Sequence, residues 1–278
     1  MVNRRLPNWG YKGRPPKTKG TAETSSEGFA GPHTHEENYM LKTANKFDYP
    51  QTNLIQYLDK QFYTSGSTWI DQSGYGNNAT FVGSISQSTT YGGSIGTFYY
   101  AFQQTSNWLN LTSVLNNISS ASAWTMCWVG YTDLLNGTQS NHGLSIANSS
   151  NNNIHIIRGT RTDGTKTGEV STFVNGINNS SVPHKYQFCA YTYNGTNTKI
   201  YTSADGATHT TGGTQNDIRQ GTGFVLNQEQ DASLGSFDAN QCSQWYISAW
   251  MVYNEVISAQ DIADLQGYFK GIYPIETL

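Results

Sequence analysis

The alternation of apolar and polar positions changes character near residue 50. Upstream, neither the strand period nor the helix period can be followed, and five of the seven prolines lie there (Pro7, Pro15, Pro16, Pro32, Pro50). Downstream, short runs of β-branched and aromatic residues recur between Gly/Asn/Ser/Asp clusters, as in an antiparallel β-protein. Such runs lie near 97–102, 108–114, 123–132, 143–147, 153–158, 169–174, 185–193, 198–203, 223–228 and 245–253. Two more, Leu54–Leu58 and Thr68–Asp71, flank a Gly/Ser turn. The run from Trp245 to Tyr253 is apolar or small at nearly every position, which predicts a strand buried on both faces.

One helix is predicted, at the C-terminal end. Ser258-Ala259-Gln260-Asp261 is a Ser-x-x-acid start that places Asp261 where the helix dipole favours it. Ile262, Leu265, Phe269 and Ile272 form an apolar stripe, and Pro274 lies just beyond the expected stop. The fold class expected is all-β: a two-sheet antiparallel jelly-roll sandwich with one short C-terminal helix and an extended N-terminal arm. The arm is residues 1–51 and the sandwich residues 52–278.

Composition agrees with this division. The chain has 278 residues, 13% of them charged, with 28 Gly, 18 Tyr and 7 Trp, as suits a β-protein with long polar loops. A net charge of −3 names no partner. No apolar leader and no long apolar run is visible, so synthesis without a signal peptide and no membrane partner are expected.

The arm is basic at its tip. Arg4, Arg5, Lys12, Arg14, Lys17 and Lys19 occur in the first twenty residues with no acid among them. A segment with no core of its own needs a surface to lie on, so the arm is expected to dock on neighbouring subunits of an assembly. Nucleic acid is not the expected partner, because dense Arg runs with interleaved aromatics are absent.

Acids and amides concentrate between Val225 and Tyr253, where Asn227-Gln228-Glu229-Gln230-Asp231 closes an apolar run and a Gly/Ser/Asp/Asn loop follows. This stretch resembles the pentraxin signature and the wider laminin-G-like, concanavalin-A-like sandwiches. Their Gln-Glu-Gln-Asp run, Gly-x-Phe and following Gln are matched by Glu229, Gln230, Asp231, Gly235-Ser236-Phe237 and Gln241. Asp71-x-Ser73-Gly74-x-Gly76-Asn77-x-Ala79 is similar to a laminin-G-like turn motif. Its physical content is a tight turn in which glycines take positive φ and Asp/Asn side chains bond local amides.

The resemblance implies a calcium site built from Glu229, Gln230, Asp231 and Gln241, with Asn152 from the Ser149–Asn153 segment standing where pentraxins place an Asp-Asn pair. The Asp is missing there, and fewer carboxylates mean weaker binding. Calcium is the one cofactor implied. A second chemistry, glycosidic cleavage, would use Glu229 and Asp231, roughly 6–7 Å apart along a strand. The jelly-roll glucanases, however, carry Glu-x-Asp-x-x-Glu, and the last position here is Leu234. A third reading is a loop stabilised by its own amides and acids with nothing bound. No catalytic residue is assigned, and the chain is expected not to be an enzyme.

The resemblance also implies that Cys127 and Cys189, on neighbouring strands, are close in space, where pentraxins carry a disulfide. Without an export signal, two buried thiols are expected. The function expected is a non-enzymatic structural protein of a virus particle, a capsid decoration or tail-fibre component of a phage or similar virion, in a homo-oligomer or larger assembly. The other class is a carbohydrate-binding surface adhesin assisted by calcium, reading neutral sugars through aromatics such as Trp108, Trp245 or Tyr75.

Overall fold

The structure, a computed structural model, describes residues 49–99, 107–118, 123–133, 141–147, 154–162, 165–172, 175–178, 185–195, 197–203, 208–212, 223–226 and 244–276. The basic residues of the arm, Arg4 to Lys19, lie outside them.

The sandwich begins with β1 (Leu54–Asp59), closed by a 3-10 turn at Lys60–Phe62. Five short strands follow: β2 (Thr68–Trp69), β3 (Ala79–Val82), β4 (Ser86–Ser88), β5 (Thr97–Tyr99) and β6 (Trp108–Asn110). The run expected as one strand over 108–114 stops at Asn110. Thr112–Val114 form a 3-10 turn and Leu115–Ile118 a single helical turn, with Asn110 Oδ1 accepting from the Thr112 amide at 3.0 Å. An Asn side chain bonding the backbone two residues on competes with the strand ladder, and here it prevails.

Next come β7 (Trp124–Asp133), β8 (Asn141–Ala147), β9 (Ile154–Thr162), β10 (Thr165–Thr172), β11 (Asn175–Asn178), β12 (Tyr186–Tyr193), β13 (Asn197–Thr202) and β14 (Thr208–Gly212). The chain ends with β15 (Gly223–Leu226), β16 (Gln244–Tyr253) and helix α1 (Ala259–Ile272). Among the described residues each of the two sheets has eight strands. One runs β14-β13-β12-β7-β16-β5-β4 with β1 also on β16; the other runs β11-β10-β9-β8-β15-β6-β3-β2. The pairings are antiparallel, as the jelly-roll reading requires.

β16 explains its own apolar run. β7 pairs along one edge for its full length; the other edge is shared by β5, at Tyr246 and Ile247, and β1, from Ala249 to Tyr253. One face packs into the core between the sheets with Trp69, Phe81, Trp128, Phe224 and Trp250. The other lies under α1, with Tyr253, Met251 and Ala249 against Ile262, Leu265 and Phe269. A strand covered on both faces has no reason to alternate.

The alternation shifts once, at Ser248. The pairing with β7 slips between Ile247 and Ala249, the mark of a β-bulge. Ser248 Oγ accepts from the Tyr186 hydroxyl at 2.7 Å and donates to the Gly96 carbonyl at 2.8 Å. Opposite it, Gly130 lies against the strand so closely that a Cβ there would stand 2.0 Å from the Tyr246 carbonyl oxygen.

Helix α1 starts as its sequence demands. Ser258 Oγ accepts from the Asp261 amide at 3.1 Å and Asp261 Oδ2 accepts from the Ser258 amide at 3.0 Å, a complete capping box. Ile262, Leu265 and Phe269 are buried as expected, and Ile272 is half-buried against the same cluster.

Candidate functional site

The ligand set implied for calcium, Glu229, Gln230, Asp231, Gln241 and Asn152, lies outside the described residues. Their framework is on view. β15 belongs to one sheet and β16 to the other, so segment 227–243 crosses between them. Leu226, where it departs, pairs with Leu144, whereas Gly223 pairs with Ala147, after which the segment carrying Asn152 begins. The two segments therefore leave the β8–β15 pair at opposite ends. Among the described residues no group of three or more His, Cys, Asp and Glu side chains is placed to hold a metal ion.

Two buried carboxylates stand out among the described residues. Asp71 builds the turn that joins β2 to β3. Its Oδ1 accepts from the amides of Tyr57 at 2.8 Å and Ser73 at 2.9 Å; its Oδ2 accepts from Ser73 Oγ at 2.7 Å and the Asn77 amide at 2.9 Å. Asn78 Oδ1 takes the Asp71 amide at 2.8 Å. Gly74 and Gly76 hold φ of 91° and 76°, the left-handed conformation that the Gly-x-Gly spacing provides. Asn77 Nδ2 donates to the Ile55 carbonyl at 2.7 Å, and the Asn77 carbonyl accepts from Gln56 Nε2 at 2.6 Å. Gln56 Oε1 in turn receives the Trp250 indole N–H at 2.9 Å, which ties the turn to the centre of the sandwich. Tyr75 projects from this frame with 55% of its surface exposed, while Trp108 is half-buried. The side chain of Trp245 lies outside the description.

Asp59, at the end of β1, is fully buried. It accepts from the hydroxyls of Tyr273 at 2.5 Å and Tyr57 at 2.7 Å, and from the amide and Nε2 of Gln61, each at 2.9 Å. The Tyr57 hydroxyl also meets that of Tyr268 at 3.2 Å, and Tyr49 packs on both rings. Burial pushes the Asp59 carboxyl above the ordinary carboxylate range, against the opposing pull of Tyr273, Tyr57 and Gln61. The same burial raises Tyr57, Tyr268 and Tyr273 far above the ordinary phenol value. The arrangement fastens α1 and the turn after it to β1. Sequence reasoning passed over Asp59, because its partners Tyr268 and Tyr273 are distant in the chain; the cue available was an acid closing an otherwise apolar strand.

Cys127 and Cys189 are free and buried, as expected. They sit on paired strands but are not cross-strand partners: Cys127 pairs with Ala190, and Cys189 with Trp128. This one-residue offset puts Cys127 beneath α1 and Cys189 in the core between the sheets. The closeness implied for them holds at the level of the strands, but the side chains point to opposite faces.

The sequence pattern of the Pentaxin family matches residues 97–272, more than half of the chain. Among curated proteins no sequence matches. Solved structures that resemble the sandwich include a mutant of Trypanosoma rangeli sialidase displaying trans-sialidase activity, at TM-score 0.55 and 13% identity over 81% of this chain and 34% of that one. The binding domain of Paraclostridial Mosquitocidal Protein 1 gives TM-score 0.52 and 11% identity over 78% of this chain and 52% of that one. Botulinum neurotoxin type C, whose entry into cells depends on interaction with two ganglioside molecules, gives TM-score 0.53 and 15% identity over 81% and 52%. The chain thus spans a third to half of the length of these structures, and at such identities the likeness is one of fold.

Proposed function

The chain belongs to the pentaxin family, and from that premise we propose that it is a non-enzymatic, lectin-like module that recognises glycans at a surface. The observation that carries this reading is the rigid Asp71 turn, which holds an aromatic side chain out to solvent. Loops positioned by a stiff scaffold are where recognition residues concentrate. The fold it shares with the ganglioside-dependent neurotoxin supports the same reading. The two buried carboxylates, Asp59 and Asp71, serve as acceptors within the scaffold, a use that fits binding better than catalysis. Calcium assistance through Glu229, Gln230, Asp231 and Gln241 is part of the proposal. A glycan array probed with the full chain, with calcium and with chelator, tests it. Binding to a defined set of oligosaccharides is expected; silence in both conditions overturns the reading.

The second reading sets the module in a virus particle, as a capsid decoration or tail-fibre component docked through residues 1–50. The observation favouring it is the arm itself, with six Lys/Arg and three Pro in its first twenty residues and no acid among them. Deleting residues 1–47, which spares the buried Tyr49, should abolish incorporation into particles while the remainder folds with an unchanged thermal midpoint. Unchanged incorporation would end this reading.

A further inference from the structure

Three large apolar side chains are exposed among the described residues: Ile70 at 48%, Tyr75 at 55% and Val256 at 40%. Two of the three belong to the single turn that Asp71 organises. Lone exposed apolar residues are ordinary on any surface. Two on one turn whose backbone is pinned are a different matter, because that backbone has little freedom left to lose when the turn is covered.

The chemistry of the turn narrows what would cover it. Its one charge, Asp71, is 8% exposed and accepts four hydrogen bonds, so the turn shows no free charge to a ligand. What remains is an aromatic ring, an aliphatic side chain and the neutral amides of Gln72 and Asn78. Gln72 and Ser73 are half-buried, and Gly74, Gly76 and Asn78 are exposed beside Tyr75. Gly76 leaves the space beside Tyr75 open, since a Cβ there would meet nothing within 4 Å. A pyranose matches this set. Its C–H face is apolar and lies on a tyrosine ring, and its rim of uncharged hydroxyls pairs with amides. A carboxylate-bearing sugar finds no cation here.

We infer that the Asp71 turn is the contact site for a neutral pyranose, with Tyr75 as the stacking ring. The site rests on the glycan-binding reading given above and assigns it to residues other than those implied for calcium. The contact does not require metal, because none of its groups belongs to the 227–243 segment.

The experiment compares the full chain with Tyr75→Ala and Tyr75→Phe on an array of neutral glucose-, galactose- and N-acetylglucosamine-containing oligosaccharides beside a sialylated set, with chelator present. Dissociation constants for the best neutral glycan follow by titration. Tyr75→Ala is expected to weaken binding at least ten-fold and Tyr75→Phe less than two-fold, with the thermal midpoint of both unchanged. Parent-like binding by Tyr75→Ala would overturn the site while leaving the glycan-binding reading intact. Binding confined to sialylated glycans would overturn the neutral ligand class. Silence in chelator would remove the site, and silence also in a parallel array with calcium would remove the reading on which it rests.

Discussion

Tyr273 donates its hydroxyl to the carboxylate of Asp59 across 214 residues of chain. Together with the donors from Tyr57 and Gln61 it holds a buried acid between β1 and the segment that follows α1. A carboxyl whose folded-state value is raised stabilises the fold most in acid. That contribution is fully present below the unfolded value and is lost as pH rises through the raised one. The stability of Asp59→Asn relative to the parent should therefore grow as pH climbs from the ordinary carboxylate range to the raised value, then level off. Gln61 Oε1, buried without a partner, can turn to accept from the new amide. Urea midpoints taken at a series of pH values read this difference; a constant offset would contradict it. Asp59→Ala leaves its donors without an acceptor and should cost about 1–3 kcal/mol.

Cys127 and Cys189 should resist alkylation in the folded protein. Burial raises the Cys127 thiol well above its ordinary value, and neither side chain is exposed. Labelling at mildly alkaline pH followed by mass spectrometry should find both unmodified in buffer and both modified in urea. A disulfide-linked peptide containing the pair would refute the opposite-face placement.

Gly130 and Gly267 should respond to alanine in opposite directions. At Gly130 the new methyl would meet the Tyr246 backbone, which cannot step aside without breaking the bulge at Ser248. A loss of about 3 kcal/mol or more is expected. At Gly267, exposed on α1, nothing lies within 4 Å, so alanine should stabilise by about 1 kcal/mol through helix propensity. Thermal or urea unfolding measures both.

Calcium should bind weakly. Glu229 and Asp231 are the carboxylates implied as ligands, and the Ser149–Asn153 segment offers hydroxyls and amides in place of a further charge. With so few charges a dissociation constant of about 10⁻⁴ M or weaker is expected. Calorimetric titration should lose its signal in Glu229→Gln, while the thermal midpoint in chelator stays that of the parent.

Much of the sandwich was legible because its signals are local. β12 occupies Tyr186–Tyr193, β15 Gly223–Leu226 and β16 Gln244–Tyr253, close to the apolar runs that announced them. The Ser258 cap and the Asp71 turn were legible for the same reason, since each is written in a few consecutive residues. What escaped depends on distant partners. The end of β6 turned on one Asn side chain, the Cys offset on a register of one residue, and Asp59 on tyrosines near the other end of the chain. The candidate ligands were legible as a motif, but a motif fixes residue types and leaves their convergence to the fold.

The pairing of β1 with β16 also governs when this protein can fold. β1 has β16 as its sheet partner, and the Gln56–Trp250 hydrogen bond closes a loop of 194 residues. On a ribosome β1 must wait, its apolar residues uncovered, until β16 has emerged. Closing so long a loop slows folding relative to proteins built from local contacts. The waiting strand is also the stretch most open to pairing with the wrong chain. A chain cut before β16 would leave β1 and the inner strands of its sheet without their centre, so the arrival of β16 is the step that commits this sandwich to its native form.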